Sequence, residues 1–371
     1  MSTEARALYY ADPKAGYLAA KTEIDAAIAR VLASGTYING PEVAAFEREF
    51  AAFLGVSGCV GVANGTDAIE LALRALGIGP GDQVVTVANT VSATVAAIVA
   101  TGAEPRFVDV ETHSMLMDAE ALRALLASDT ARRIKAVIPV HLYGQACDML
   151  ALLPLARAHG ARVIEDCAQA HGATVAGRMA GTFGDLATFS FYPTKNLGAF
   201  GDGGAVAGGD AAALDRVRLL RQYGWRTRYV SDEHGRNSRL DEMQAAILRA
   251  RLPRLATENT RRAELAARLT AALAGAALTL PQVAAGRTHV WHQYVIRTAR
   301  RAELQAKLAS VGIHCGVLYP VPIHHQPAYA QPELSLPRTE QACAAVLSLP
   351  LHPGLNLGEM DRIAGAVRAA V

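Results

Sequence analysis

No run of like charges stands out along the 371 residues, and 36 Lys and Arg against 34 Asp and Glu leave a net charge of +2. That balance disfavours a nucleic-acid-binding surface. Long apolar runs are missing too: the longest, Val84 to Ala100, is interrupted by Thr86, Asn89, Thr90, Ser92 and Thr94. It falls short of a membrane span, so no transmembrane helix and no membrane partner are expected. The amino terminus lacks a basic patch followed by an apolar core and a cleavage site, so no secretion signal is read there. Only five cysteines occur, scattered and without a CxxC pair. Reduced thiols in a cytoplasm fit this better than disulfides or zinc. Internal repeats and low-complexity tails are absent as well.

What the chain does contain is alternation. From about residue 58 to 207, seven β-branched runs (Cys59–Val62, Gln83–Val87, Pro105–Asp109, Ala136–Val140, Arg162–Glu165, Leu186–Ser190 and Gly204–Ala207) alternate with alanine-rich segments of helical period. This pattern predicts an α/β domain on a mostly parallel sheet, with its chemistry at the strand ends. Residues 210–222 read as a helix, 223–238 as a polar loop with Thr66 or Asp67 heading an earlier helix, and 240–273 as long helices. The last hundred residues offer isolated strands at 290–296 and 312–317 and a closing helix after Pro353. The expected division is an N-terminal segment and large domain in residues 1–250, and a smaller α+β domain in 251–371.

Two residues carry the chemistry. Lys195 lies between the apolar Thr188-Phe-Ser-Phe-Tyr192 and the glycines 198, 201, 203 and 204. A partly desolvated amine in such a place has a lowered pKa and reacts. Asp166 closes the run Arg162-Val-Ile-Glu. An aspartate there is commonly a cap or turn residue, but with Gln169 three residues on and Lys195 beyond a further strand, it fits a partner for a protonated ring nitrogen. An imine-forming lysine and such a carboxylate are what pyridoxal phosphate chemistry requires. Asn64-Gly65-Thr66-Asp67, at a strand-to-helix turn, fits anion binding by free helix amides, and equally an ordinary capped helix. Ser190 can offer its hydroxyl to a phosphate. His141, Tyr143, His171, His324 and His325 are candidates for substrate contact. A lone histidine is more often structural, and no spacing makes a metal site. The stretch from Arg226 to Arg239 reads as a solvated loop or, in a dimer, as a reach toward a neighbour's anionic site.

Asn64-Gly-Thr-Asp-Ala, Glu165-Asp-Cys-Ala-Gln-Ala-His-Gly, Ser190-Phe-Tyr-Pro-Thr-Lys-Asn-Leu-Gly, Gly201-Asp-Gly-Gly and Asn237-Ser-Arg-Leu-Asp-Glu-Met-Gln resemble the nucleotide-sugar aminotransferases of the DegT family, in order from about Tyr37 to Leu349. The resemblance implies the pyridoxal phosphate (PLP) transferase fold type I, a large domain with a mostly parallel seven-stranded sheet plus a smaller α+β domain. It also implies a homodimer with shared active sites, and PLP as cofactor with its pyridoxamine form (PMP) as the intermediate state. By the same resemblance Lys195 is the Schiff-base lysine, Asp166 partners the pyridine nitrogen and Gln169 lies near the ring hydroxyl. Gly65, Thr66 and Ser190 hold the phosphate, and Asn237 reaches it from the other subunit. Many members carry an aromatic where Val91 stands. The motif around Lys195, together with Pro322-Ile-His-His-Gln-Pro-Ala-Tyr, is most similar to the branch that aminates C3 of a dTDP-3-keto-6-deoxyhexose with L-glutamate, the alternative being C4 amination of a 4-keto sugar. A dehydratase of the same fold, in which the lysine is replaced, and a non-catalytic regulator are disfavoured by Lys195, Asp166 and Gln169.

Overall fold

The computed structural model describes residues 6–371. The absence of a secretion signal was read largely on residues 1–5, which lie outside the described residues. All seven β-branched runs form strands of one sheet: β1 (Gly58–Val62), β2 (Gln83–Val87), β3 (Glu104–Val108), β4 (Ile134–Val137), β5 (Arg162–Asp166), β6 (Leu186–Ser190) and β7 (Gly204–Gly208), in the order β1-β7-β6-β5-β4-β2-β3. Neighbours from β6 to β3 pair in parallel, and β7 runs against both β6 and β1. Alternate residues of a strand point to opposite faces. Val85, Val163, Ala205 and Ala207 accordingly enter one apolar cluster, with Phe46, Phe50, Phe189 and Phe191. Val84, Ile164 and Val206 enter another, with Ile69, Leu73 and Val217. Both faces are covered, which is why the strands read as continuous apolar runs instead of alternating ones.

The helix after β1, α1 (Gly65–Ala75), begins one residue earlier than expected. Its cap is Asn64, whose side chain accepts from the Asp67 amide at 2.8 Å, so neither Thr66 nor Asp67 heads the helix. The helix α2 (Ser92–Ala100) follows β2. The expected boundary at residue 250 falls in the last turn of α3 (Glu242–Arg251), which runs through a short 3-10 turn into α4 (Leu255–Leu273).

A third apolar cluster joins Leu265, Leu269 and Leu273 of α4 to the antiparallel pair β8 (Tyr294–Arg297) and β9 (Val346–Leu349) and to α5 (Leu357–Ala370). Leu8 belongs to this cluster, because Leu8–Tyr9 pairs in parallel with Ile313–His314. The beginning of the chain is thereby stitched to its last third, an association that no local signal announces. The segment expected as a polar loop, 223–238, contains a small hairpin (Trp225–Thr227 with Val230–Ser231). The ring of Trp225 packs 4.8 Å from Tyr223 and 5.2 Å from Tyr229 and holds it together. Among the described residues, no helix is long and apolar enough to cross a membrane.

Candidate active site

β5 delivers Asp166 at its carboxyl end, 4% exposed. One carboxylate oxygen accepts from the Thr94 hydroxyl of α2 at 2.9 Å and the other from the Ala168 amide at 3.1 Å. Burial raises its pKa, and those two donors and the Lys195 charge pull the other way. A ring cation set against it would favour the carboxylate further. β6 ends at Ser190, and a tight turn carries Lys195 before β7 returns. The Lys195 amide donates to the Tyr192 carbonyl at 2.8 Å and the Ala199 amide to that of Phe191 at 2.7 Å. A Cβ on Gly198 would lie 2.6 Å from the Pro193 carbonyl oxygen, so the turn admits only glycine there. The Lys195 amine keeps some access to the cavity yet is enclosed by protein, and burial, opposed by Asp166, pushes its pKa down to about 8.

The amino-terminal end of α1 packs against these strand ends. A Cβ on Gly65 would sit 2.7 Å from the Ser190 Cβ, and one on Gly204 only 2.3 Å from the Asn64 carbonyl oxygen. Gly65, Thr66 and Ser190 thus form a close cradle of free amides and hydroxyls, which suits a phosphate. They line one cavity of about 390 Å³ with Asp166, Gln169 and Lys195. Phosphate cradle, carboxylate and an amine of lowered pKa together are the donor set that pyridoxal phosphate needs. Gln169 is fixed at both ends: its oxygen accepts from the Tyr143 amide at 2.6 Å and its nitrogen donates to the Tyr319 hydroxyl at 3.0 Å. Val91 lines the same cavity, 38% exposed, as an aliphatic wall where an aromatic would stack.

The five substrate-contact candidates do not line this cavity. His141 is fully buried, 3.0 Å from a Glu165 oxygen through Nε2 and accepting from the Cys147 amide through Nδ1 at 2.9 Å. It braces the loop after β4. Tyr143 is buried and its hydroxyl donates to the Leu318 carbonyl. His171 is fully buried against Phe189 and Phe191, and burial, with Lys195 nearby, holds its pKa at about 3, so it is neutral. His324 is buried beside Phe107 with Nε2 3.2 Å from Glu340, and His325 is exposed, 3.8 Å from the same carboxylate. No metal site was expected; the ligand atoms of His324, His325 and Glu340 nonetheless lie within 4.8 Å of one another, although one Glu340 oxygen already accepts from the Leu336 amide. Asn237 is exposed, bridges the Gln222 backbone, and does not line the cavity of its own subunit.

Residues that sequence reasoning missed are Thr94, Tyr10, His292, Gln293 and Tyr319, all lining the cavity. Thr94 carried a signal, as a hydroxyl inside a helix that is apolar from Val95 onward. Tyr10 carried none. His292 is held well below the usual histidine range by burial and then by Lys195, and its Nδ1 lies 3.2 Å from the Asn196 side-chain oxygen.

Residues 19–368 match the model of the DegT/DnrJ/EryC1/StrS aminotransferases. The chain belongs to this family. It is a PLP-dependent aminotransferase of the α/β type seen in the family's solved structures. The aminotransferase is 50% identical over 364 residues to the dTDP-3-amino-3,4,6-trideoxy-alpha-D-glucose transaminase of Streptomyces venezuelae, covering 97% of this chain and 95% of that protein. A crystal structure of S. venezuelae DesV in complex with a ketimine intermediate superposes with a TM-score of 0.95 at 48% identity, over 98% of both chains. NtdA from Bacillus subtilis with bound PMP gives 0.87 at 32% identity, over 95% of this chain and 82% of that one.

Proposed function

We propose that the aminotransferase places an amino group on C3 of a dTDP-linked 3-keto-6-deoxyhexose, using L-glutamate as donor and yielding a dTDP-3-amino-3,6-dideoxyhexose. The observation that carries this reading is the 50% identity, over nearly the whole of both chains, to an enzyme named for a dTDP-3-amino sugar. Bound at the cradle, pyridoxal phosphate supplies the electron sink that carries the amino group between donor and acceptor. The remaining roles fall to this chain's own residues. Gly65, Thr66 and Ser190 hold the phosphate through amides and hydroxyls. Asp166, fixed by Thr94 and Ala168, presents its charge to the ring nitrogen. Gln169 stands by the ring hydroxyl, with Tyr319 locked to it. Lys195 would hold the cofactor and would move protons at its Nζ. A pKa near 8 keeps it close to both protonation states at neutral pH. Asn237, exposed on its own subunit, serves the phosphate of a second subunit in a cytoplasmic homodimer.

The test is incubation with dTDP-3-keto-6-deoxyglucose, dTDP-3-keto-6-deoxygalactose and the 4-deoxy analogue, each with L-glutamate, followed by mass measurement and NMR of the product. The sugar in the relative's name lacks the C4 hydroxyl, so the third substrate separates the two C3 series. An amine on C4, or turnover only with a 4-keto sugar, overturns the regiochemistry.

A further inference from the structure

A second cavity, of about 250 Å³, meets the first at Tyr10, Thr194, Lys195 and His292, which line both. Its wall, where α3 passes into α4, carries Arg251, Arg254, Arg261 and Arg262, faced by Asp12 and His352. The counter-charges do not balance these four guanidinium groups. Glu258 is shared, at 3.9 Å from Arg251 and 3.5 Å from Arg254. Asp12 is taken by Arg6 at 3.0 Å and Arg261 has Glu264 at 3.1 Å.

Arg262 has no carboxylate oxygen within 4.0 Å among the described residues. It is 8% exposed and donates through one terminal nitrogen to the carbonyls of Trp291 and Leu351, at 3.2 and 3.1 Å. Its Nε has no hydrogen-bond partner, nor has Nδ1 of His352, itself 4% exposed, whereas Nε of Arg254 has only the shared Glu258 oxygen at 3.5 Å. A buried cation and buried donors left unmatched at a cavity wall are satisfied by an anion. A nucleotide sugar is too large for this volume, whereas a five-carbon dicarboxylate is not.

We propose that this cavity seats the carboxylates of the amino donor, an amino dicarboxylate, and of the keto acid it becomes, with Lys195 at the shared mouth. This deepens, and rests on, the aminotransferase reading above. Arg254 and Arg262 take the carboxylates, and His352 adds a neutral hydrogen-bonding group because burial lowers its pKa to about 4.

The experiment has two arms. Calorimetry of 2-oxoglutarate binding to the PMP-loaded enzyme is compared between wild type, Arg254→Gln and Arg262→Gln. Stopped-flow absorbance then measures the glutamate and keto-sugar half-reactions separately. The expected result is a loss of at least about tenfold in 2-oxoglutarate affinity and in the glutamate KM, with the keto-sugar KM within about twofold of wild type. Arg262 also holds two carbonyls and its variant risks misfolding; Arg254, partly exposed, keeps the test decisive. Unchanged 2-oxoglutarate binding in Arg254→Gln, or equal losses in both half-reactions, overturns the proposal. If wild type accepts no keto sugar, the function reading fails while the binding arm still judges the cavity.

Discussion

Asp166 and Lys195 act on each other as well as on whatever lies between them. Burial raises one pKa and lowers the other, and each charge opposes the shift of its neighbour. Replacing Asp166 by Asn keeps the hydrogen-bonding shape toward Thr94 and Ala168 but removes the charge that holds a ring nitrogen protonated. Turnover in Asp166→Asn should therefore fall by about two or more orders of magnitude beyond any loss in PLP affinity, read by steady-state rates beside a cofactor titration. Parallel losses in both would mark a merely structural carboxylate. The lysine makes a pH prediction. With its pKa lowered from 10.5 to about 8, the uncharged amine is lost as pH falls through 8 and is dominant above it. Uptake of PLP by cofactor-free protein should accelerate from pH 7 to 9 and then level, with a midpoint near 8; a midpoint near 10.5 would refute the desolvated setting. Asp166→Asn, lacking the carboxylate that raises the lysine, should move that midpoint lower still.

The turn between β1 and α1 and the strand β7 meet more closely than any side chain would permit. In Gly204→Ala the added carbon lies 2.3 Å from the Asn64 carbonyl oxygen, so the turn must shift and carry Gly65 and Thr66 with it. PLP affinity should drop by about tenfold or more while the far-UV circular dichroism is kept, and unaltered affinity would show that the cradle tolerates the shift. At this scale the sequence was most legible. The seven strands announced themselves because burial on both faces leaves an unbroken apolar run. The cap residue was misread because Asn64, Thr66 and Asp67 are all good caps, and only the hydrogen bond from the Asp67 amide decides among them. The hairpin at 225–231 was hidden because three aromatic rings, instead of strand propensity, hold it. The histidines took their places in the structure for a related reason. Polar side chains near a site by sequence also serve as its bracing, as His141 does through Glu165 and Cys147.

For the whole molecule, the placement of Asn237 outside its own cavity makes dimerisation testable through chemistry. Mixing inactive Lys195→Ala subunits with Asn237→Asp subunits should restore about a quarter of wild-type activity after exchange, because half the dimers are mixed and each of those has one intact site. No recovery after verified exchange would mean that each site is built from one chain. Gly65, Asp166, Gln169, Ser190 and Lys195 were legible because they sit at strand ends in order along the chain. Tyr10 and Tyr319 were not, since they arrive through the pairing of Leu8–Tyr9 with Ile313–His314 and the segment just beyond it. That same topology sets a timetable. β7 must close on β1, Gly58 against Gly208, across a long intervening segment, before Gly204 can press on Asn64. Distant pairings of this kind form slowly. Synthesis from the amino terminus therefore leaves the phosphate cradle open until the sheet is complete, and the cavity unwalled until residue 319 has emerged. Cofactor capture is thereby placed late in biogenesis, after the chain has reached Tyr319.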